Sequence, residues 1–347
     1  MRPGLDDGTS IVDVARLAGV SISTVSRTLR GAVNVSAPTR DRVLRAAADL
    51  AYVPSPAASR LASGRTGTVG VIVQFDARWF FAECIRGAEN ELRSAGYDLL
   101  LYNVGDPACR QQLFTSMPLR RRVDAVLAIA VSFTVTEAVA MERLGVPVVS
   151  VSDPSGRATS SVRVDDAAGV ATAVRHLTLL GHRDIVMISG VLDDPIGREA
   201  TRARQAGFRA GLQEAGLPHG ADRIVHEPWG PEGGRRAMER LLSVRPLPTA
   251  VVAESDETAF GVLQTLRRVG LSVPGDLSLI GFDDHEFAAA SDLTTIRQPV
   301  PEQGQLGARM LLELVGGHVP SPRLVVLPTE LVVRGTTAPP RQEIVPG

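Results

Sequence analysis

SIVDVARLAGVSISTVSRTLRG, residues 10–31, sets small apolar residues among hydroxyls and arginines and breaks once, at Gly19. Ser10 is placed to cap a first helix, and Asp13, three residues on, completes a capping box. Val14, Ala15 and Ala18 form an apolar stripe too narrow to hold a helix alone. Gly19 permits a sharp turn, Val20 plugs the angle, and Ser21 caps a second helix. On that helix Val25 and Leu29 share one face, while Ser23, Arg27 and Arg30 share the other. Two short helices crossing at a glycine, the second with a polar outer face, make a helix-turn-helix pattern. Ordinary helical hairpins show the same local pattern.

The next stretch supplies what two short helices lack. In NVSAPTRDRVLRAAADLAY, Ser36 is an N-cap and Pro38 lies in the first turn, where its missing N–H costs nothing. Val43, Leu44, Ala47 and Leu50 recur at helical spacing, so a third helix covers the first two. VPSPAASRLASGRTG follows, with the composition of a linker. Ala57 to Leu61 spans about one helical turn, too short to persist in isolation, which suits a segment that orders only on binding.

Charge separates this head from the remainder. Residues 1–67 hold nine arginines and five aspartates, a net +4, leaving −5 for the rest against −1 for the whole chain. A basic head on an acidic body fits a phosphate-binding module joined to something else. The chain has no lysine, which excludes a Schiff-base lysine, a P-loop lysine and a lysine general base. Its 347 residues suggest two or three domains, and 44% hydrophobic content is ample for packed cores. No apolar run reaches the ~20 residues that span a bilayer, so no membrane partner is expected. The first ten residues lack the apolar segment of a secretory signal, and export is not expected. Cys84 and Cys109 form neither a disulfide framework nor a metal-ligand set; a reducing cytoplasm is the expected setting.

Together, Ile11–Asp13–Val14–Ala15, Ala18–Gly19–Val20–Ser21, Thr24–Val25–Ser26–Arg27, Asn34–Val35–Ser36 and Pro54…Ala58…Leu61 resemble the LacI/GalR family of bacterial transcription regulators, in register from about residue 10 to 335. The resemblance implies that the second helix enters the major groove of double-stranded, palindromic operator DNA. Ile22, Ser23 and Arg27 match base-reading positions, and an arginine there donates two bonds to guanine. Ser21, Thr24, Ser26 and Asn34 suit phosphate oxygens. The linker is implied to form a hinge helix in the minor groove, with Leu61 wedged into a base step and Ala58 keeping paired hinges close. Ser55 and Ser59 depart from the family's commonest hinge residues.

From Thr68 the pattern changes to short, β-branched apolar runs (VGVIV, YDLLLYNV, VDAVLAIA, VPVVSVS, DIVMISG, TAVVAES, LSLIGFDD) alternating with helical stretches. Such runs fit strands buried on both faces of parallel sheets. The fold class is therefore an all-α helix-turn-helix head plus α/β, with two doubly wound parallel-sheet lobes of the periplasmic-binding-protein type that the family resemblance implies. The expected division is a disordered N-terminus (1–9), the head (10–54), a hinge (55–66), an effector-binding and dimerisation region (67–335) and a Pro-rich tail (336–347). Within the region the N-lobe takes about 67–166 and 298–328, the C-lobe about 167–297 and 329–335. No GxGxxG follows the first strand, so a dinucleotide fold is unsupported.

Open parallel sheets bind ligands beyond the C-terminal ends of their strands. Just past those ends stand Phe75, Asp76, Asn103, Ser152, Asp153, Ser255, Asp256 and Asp283, a convergent polar set if two lobes face each other. The resemblance implies that Arg204 binds effector hydroxyls or carboxylates and that Asp283 accepts from effector hydroxyls. Arg78–Trp79 stands before the first body helix, and the rings of Trp79, Phe80 and Phe81 can stack on a sugar; Phe80 and Phe81 also fit that helix's core face. Ser255, Ser152–Asp153 and Arg78–Trp79 replace common family residues, which opens the effector to an acidic or atypical ligand besides a standard hexose. The expected partners are operator DNA, a small, carbohydrate-like effector and a second copy in a homodimer, with neither cofactor nor metal; the tail has no heptads for a tetramer. The whole reads as a repressor controlled allosterically. A sugar receptor without DNA function is the alternative. An enzyme lacks support: no G-x-S-x-G, no metal-spaced His/Cys set, and His176 and His182 at a helix end suit packing.

Overall fold

The computed structural model describes residues 10–29, 34–52, 65–74, 78–152, 160–192, 198–243, 246–317 and 322–341. It divides into a head within residues 1–67 and a body from Thr68 onward.

The head contains α1 (Ile11–Ala18), α2 (Ile22–Leu29) and α3 (Ala37–Asp49). The Ser10–Asp13 capping box is formed, and Gly19 ends α1 in the left-handed region at φ 63°. Ser21 Oγ accepts from the Thr24 N–H at 3.2 Å and so starts α2. Val14, Ala15, Ala18, Val25, Val43, Ala46 and Ala47 make the core, with Val20, Leu29, Leu50 and Tyr52 packed against it. Two details differ from the sequence reading. Leu44 is exposed and Ala46 takes its place, because positions 43, 46, 47 and 50 form the helical stripe and 44 lies off it. Ser36 occupies the N-cap, but its hydroxyl donates to Thr39 Oγ1 rather than serving the backbone. The hinge positions Pro54, Ser55, Ala58, Ser59 and Leu61, together with residues 1–9 and Arg30, lie outside the described residues.

The body is built from two parallel sheets. The first joins β1 (Thr68–Val73), β2 (Asp98–Asn103), β3 (Ala125–Ile129), β4 (Val148–Val151), β5 (Ser160–Val164) and β11 (Leu324–Leu327), in the order β11-β5-β4-β3-β1-β2. The second joins β6 (Ile185–Ser189), β7 (Ile224–His226), β8 (Ala250–Ala253), β9 (Ser278–Asp283), β10 (Thr294–Arg297) and β12 (Glu330–Val332), in the order β12-β10-β9-β8-β6-β7. Only the β10–β12 pairing is antiparallel among the described strands. Central strands such as β3 and β8 are buried at every position, as continuous Val/Ile/Ala runs covered by helices on both faces must be.

Helices α4 (Trp79–Ser94), α5 (Pro107–Ser116), α6 (Val135–Glu142) and α11 (Val300–Val315) cover the N-lobe sheet. Helices α7 (Asp166–Leu179), α8 (Arg198–Glu214), α9 (Pro231–Leu242) and α10 (Asp256–Arg268) cover that of the C-lobe. Helix α11 leaves the C-lobe after β10 and lies on α4 at backbone contact. A Cβ at Gly304 would stand 1.9 Å from the Cys84 carbonyl oxygen, so only glycine fits. The chain thus changes lobe at β5–α7, β10–α11 and β11–β12, and the C-terminal ends of both sheets meet across one cleft.

Residues 336–338, read from the sequence as the start of a tail, belong instead to the C-lobe. Thr336 is buried; its hydroxyl donates to the Leu279 carbonyl and accepts from the Thr294 N–H. The buried His182 contacts Thr249 Oγ1, Ser278 Oγ and the Ala338 carbonyl, which is a packing role for that ring.

Candidate functional site

The head presents one polar face. Ser21, Ile22, Ser23, Arg27 and Asn34 are exposed, and Thr24 and Ser26 are half-buried. Ile22 keeps 48% of its surface in water, although Val25, one turn on, is fully buried. An exposed isoleucine between serines on a short helix is spare for contact with something outside the head. Ser21 Oγ bonds both Ser23 and Thr24 hydroxyls at 2.8 Å, and Arg27 Nε donates to the Ser23 carbonyl at 3.3 Å. The hydroxyls are thereby held in place, while both terminal guanidinium nitrogens of Arg27 remain available as paired donors.

In the body, a cleft lies between the lobes at the strand ends. The N-lobe supplies Arg78, Phe80, Phe81, Ala130 and Ser152; the C-lobe supplies Asp166, Glu199, Arg204, Trp229, Ser255, Glu257 and Asp283; Gln298 stands at the crossover. Three of the lining residues have positive φ without being glycine: Ala130 (50°), Ser152 (65°) and Asp283 (124°). Each ends a strand, and each holds backbone strain where the lobes converge.

Arg204 organises the C-lobe wall and is only 4% exposed. Its Nε donates to Asp166 Oδ1 at 2.8 Å and its Nη1 to the Glu254 carbonyl at 2.6 Å, with Asp283 Oδ1 3.9 Å away. The guanidinium lies 3.8 Å over the Phe282 ring and 5.4 Å from that of Trp229. Burial works against its charge, but Asp166, Asp283 and Glu254 outweigh that and raise its pKa. Asp283 behaves in the opposite way: burial pushes its pKa up to about 7, although Arg204 and the Gln298 amide pull it down. Behind them, the buried Glu254 accepts from Ser189 Oγ and Thr201 Oγ1, each at 2.6 Å, and from the Gly190 N–H. Trp229 is held close over Gly190, where a Cβ would stand 2.4 Å from its Nε1, and this N–H has no partner among the described residues.

A polar chain crosses between the lobes. Ser152 Oγ donates to Gln303 Oε1 (3.1 Å), Gln303 Nε2 to Gln298 Oε1 (2.9 Å), and Gln298 Nε2 to Asp283 Oδ1 (2.6 Å). Every donor points the same way, so the chain ends on the carboxylate that faces Arg204. At the other side of the cleft the Trp79 N–H donates to Glu257 Oε1 at 3.4 Å, the Trp79 ring lies 5.0 Å from His285, and Arg78 lies 5.4 Å over Trp229. The lobes are therefore closed on each other in this structure.

Residues 10–55 match the family described as bacterial regulatory proteins, lacI family, and residues 174–337 match the periplasmic binding protein-like domain. The chain is 33% identical over 331 residues to catabolite control protein A of Priestia megaterium, covering 94% of this chain and 99% of that relative. The chain belongs to the LacI family. Another family member, the repressor PurR of Glaesserella parasuis, is 35% identical over 94% of this chain and 98% of its own. Among solved structures, the lac repressor dimer bound to operator and the anti-inducer ONPF superposes with a TM-score of 0.85 at 27% identity, covering 96% of this chain and all of that one. The CelR–cellobiose complex gives 0.72 at 30% identity, over 95% and 100%. These relatives are transcription regulators, not enzymes, and the chain carries the family's DNA-binding helix-turn-helix.

Of the residues expected from the sequence, Arg78, Phe80, Ser152, Arg204, Ser255 and Asp283 lie on the cavity wall. Phe81 is both wall and core. Phe75, Asp76 and Asp153 lie outside the described residues. Three expectations need correction. Asp256 is fully buried behind the wall: Oδ1 accepts from Thr295 Oγ1 and Oδ2 from the His285 N–H. Burial, with the Asp283 charge added, pushes its pKa well up, so it ties α10 to β9–β10 rather than meeting an effector. Trp79 does not line the cavity, because its ring turns onto His285. Asn103 accepts from the Gly105 N–H and serves its own loop. Conversely, Asp166, Glu199, Trp229, Glu254, Glu257 and Gln298 were missed. Asp166 and Trp229 follow β5 and β7, which no apolar run marks, whereas Glu254 stands one residue beyond the end of β8 and satisfies the strand-end rule.

Proposed function

We propose that the protein is an operator-binding repressor, working as a homodimer, whose DNA occupancy is set by a neutral, polyhydroxylated effector held between the lobes. The observation that carries this reading is the Arg204–Asp283 pair, buried at the closed cleft of a chain whose head exposes Ile22, Ser23 and Arg27. A guanidinium and a carboxylate side by side offer donor and acceptor to vicinal hydroxyls in fixed geometry. The indole of Trp229 and the ring of Phe80 provide apolar faces for the C–H side of such a ligand. Charge narrows the class. Four carboxylates (Asp166, Glu199, Glu257, Asp283) face two guanidinium groups (Arg78, Arg204) around the cavity, so an anionic effector would meet net repulsion. An acidic effector is therefore disfavoured and a neutral polyol is favoured.

In the head, Ile22, Ser23 and Arg27 are assigned to base edges, and Ser21, Thr24, Ser26 and Asn34 to phosphates. Leu61 and Ala58 are assigned to the hinge. The test is a binding selection from random duplex DNA with the full-length protein. A two-fold palindrome is expected, with a flexible pyrimidine–purine step at its centre, and Arg27→Ala is expected to relax preference at one base pair of each half-site. Failure to enrich any site, with and without a panel of neutral sugars, would overturn the reading in favour of a sugar receptor without DNA function.

A further inference from the structure

The body carries an arginine run that the cleft does not use. Leu119, Arg120, Arg121, Arg122 and Val123 form the turn before β3. Leu119 and Val123 are buried, at 0% and 4% exposure, and all three arginines between them are exposed. Two successive backbone bonds, Arg120 N–H to the Met117 carbonyl and Arg122 N–H to the Leu119 carbonyl, close the turn. Arg121 sits in the left-handed region at φ 60°, an arrangement that costs energy in a non-glycine residue. Gly70 makes the anchor possible, because a Cβ there would stand 2.6 Å from Leu119 Cδ2. A rigid turn thus projects three guanidinium groups, and Arg143 joins Arg120 on the rim of one surface hollow. Among the described residues no carboxylate bridges any of these four.

Their place in the chain gives them a partner. The Asp124 N–H donates to the Thr68 carbonyl at 2.8 Å, and Val69 pairs with Ala125. The run therefore lies at the start of β1, where the linker from the head joins the body. Fifteen residues separate Tyr52 from Thr68, and at full extension such a linker spans only about 50 Å. The linker length therefore limits how far this end of the body can lie from a duplex held by the head. The run is also a basic cluster on a region whose net charge is otherwise acidic.

We propose that Arg120, Arg121 and Arg122 form a second DNA contact, in which the effector-binding body itself grips the phosphate backbone of the head-bound duplex. The proposal rests on the operator-binding reading above. Such a contact carries no sequence information and adds affinity to every site alike. Its strength follows from counterion release, with a slope of about −0.9 in log K against log salt for each phosphate neutralised.

The test uses the full-length protein, the selected operator duplex and a scrambled duplex of equal length, with affinities measured across a salt series. Changing the run to R120Q/R121Q/R122Q is expected to weaken both duplexes by the same factor, roughly tenfold or more near 0.1 M salt, and to make the slope shallower by about 2. The charge-preserving R120K/R121K/R122K variant should keep the parental slope. So should neutralisation of Arg175, Arg202 and Arg268 on the C-lobe, which changes net charge equally. A glutamine variant with the parental slope would overturn the proposal, and so would a loss confined to the operator. If the parent protein binds neither duplex, the operator-binding reading fails and takes this contact with it; if the parent binds and the variant matches it, this contact alone is refuted.

Discussion

The two walls of the cleft are built from different chemistry. The N-lobe wall is mostly Phe80, Phe81 and Ala130, with Ser152 and Arg78 at its edges, whereas the C-lobe wall concentrates Asp166, Arg204, Glu257 and Asp283 around Trp229. The C-lobe charges are also joined to one another, Arg204 to Asp166 and to Asp283. In the proposed reading, a ligand's hydroxyls would find their partners on the C-lobe and its apolar side would face the N-lobe. The difference teaches where specificity resides. A preorganised charged wall selects, and the apolar wall is tied to it through Gln303, Glu257 and His285. Only a ligand with different affinity for the open and closed states shifts that equilibrium.

The largest effect comes from breaking the charged wall. Arg204→Ala leaves Asp166 and Asp283 buried beside an empty space, so a stability loss of about 3–5 kcal/mol is expected in thermal denaturation, together with loss of effector response while the head still binds DNA. A normal response would remove Arg204 from the site. Next is the aromatic face: Trp229→Ala should weaken effector binding by about 2 kcal/mol, roughly 30-fold, as read by calorimetry. Equal affinity in parent and variant would assign the stacking surface to Phe80 instead.

Acidity sharpens the contrast between the walls, because the titrating group faces the cavity from the C-lobe. With the Asp283 pKa near 7, a hydroxyl-donating effector that needs the carboxylate ionised should bind about tenfold tighter at pH 8 than at pH 6, and Asp283→Asn should flatten that profile. The same raised pKa sets the sign for folding. Its contribution is complete below the unfolded carboxylate value near 3.9 and is lost as pH rises through about 7.

The interlobe ties should matter less. Gln303→Leu removes the middle of the chain from Ser152 to Asp283 and leaves two polar groups unsatisfied, a cost of about 1–3 kcal/mol expected to fall on effector coupling as well as on melting temperature. The smallest effect belongs to Trp79, outside the cavity. Trp79→Phe should change effector affinity less than about threefold, within ~0.6 kcal/mol. Since Trp79 and Trp229 are the two tryptophans of the chain, fluorescence of the single-tryptophan variants separates lid closure from ligand contact. Quenching of Trp79 emission at saturating effector, with affinity unchanged in Trp79→Phe, would mark it as a reporter of closure.

Much of this was legible in the sequence because the signals are local. The Ser10–Asp13 box, the Gly19 turn and the apolar β-strand runs depend on neighbours a few residues away, and they formed as read. The strand-end rule named Ser152, Ser255 and Asp283, which line the cleft. It overshot at Asp256, which stands at the same topological place as Ser255 but points back into the fold. It undershot at Asp166 and Trp229, because SSVRV and IVH are too short or too polar to announce strands.

The sequence by itself determined the helix-turn-helix head, the alternating α/β body, the basic–acidic division between them and the family to which the chain belongs. The first three are written in periodicity, capping residues or composition, the family in a resemblance of short motifs, and all survive without knowing which segments meet. Only the tertiary structure decided that Glu254 sits behind Arg204, that Gln303 of α11 completes a hydrogen-bond chain from Ser152 to Asp283, and that Trp79 turns to His285 while Trp229 lines the cavity. Those pairings join residues tens to hundreds of positions apart through three crossings between lobes. They depend on parallel strand order and on helices touching at Gly304, and no local propensity encodes which distant side chains such packing brings together.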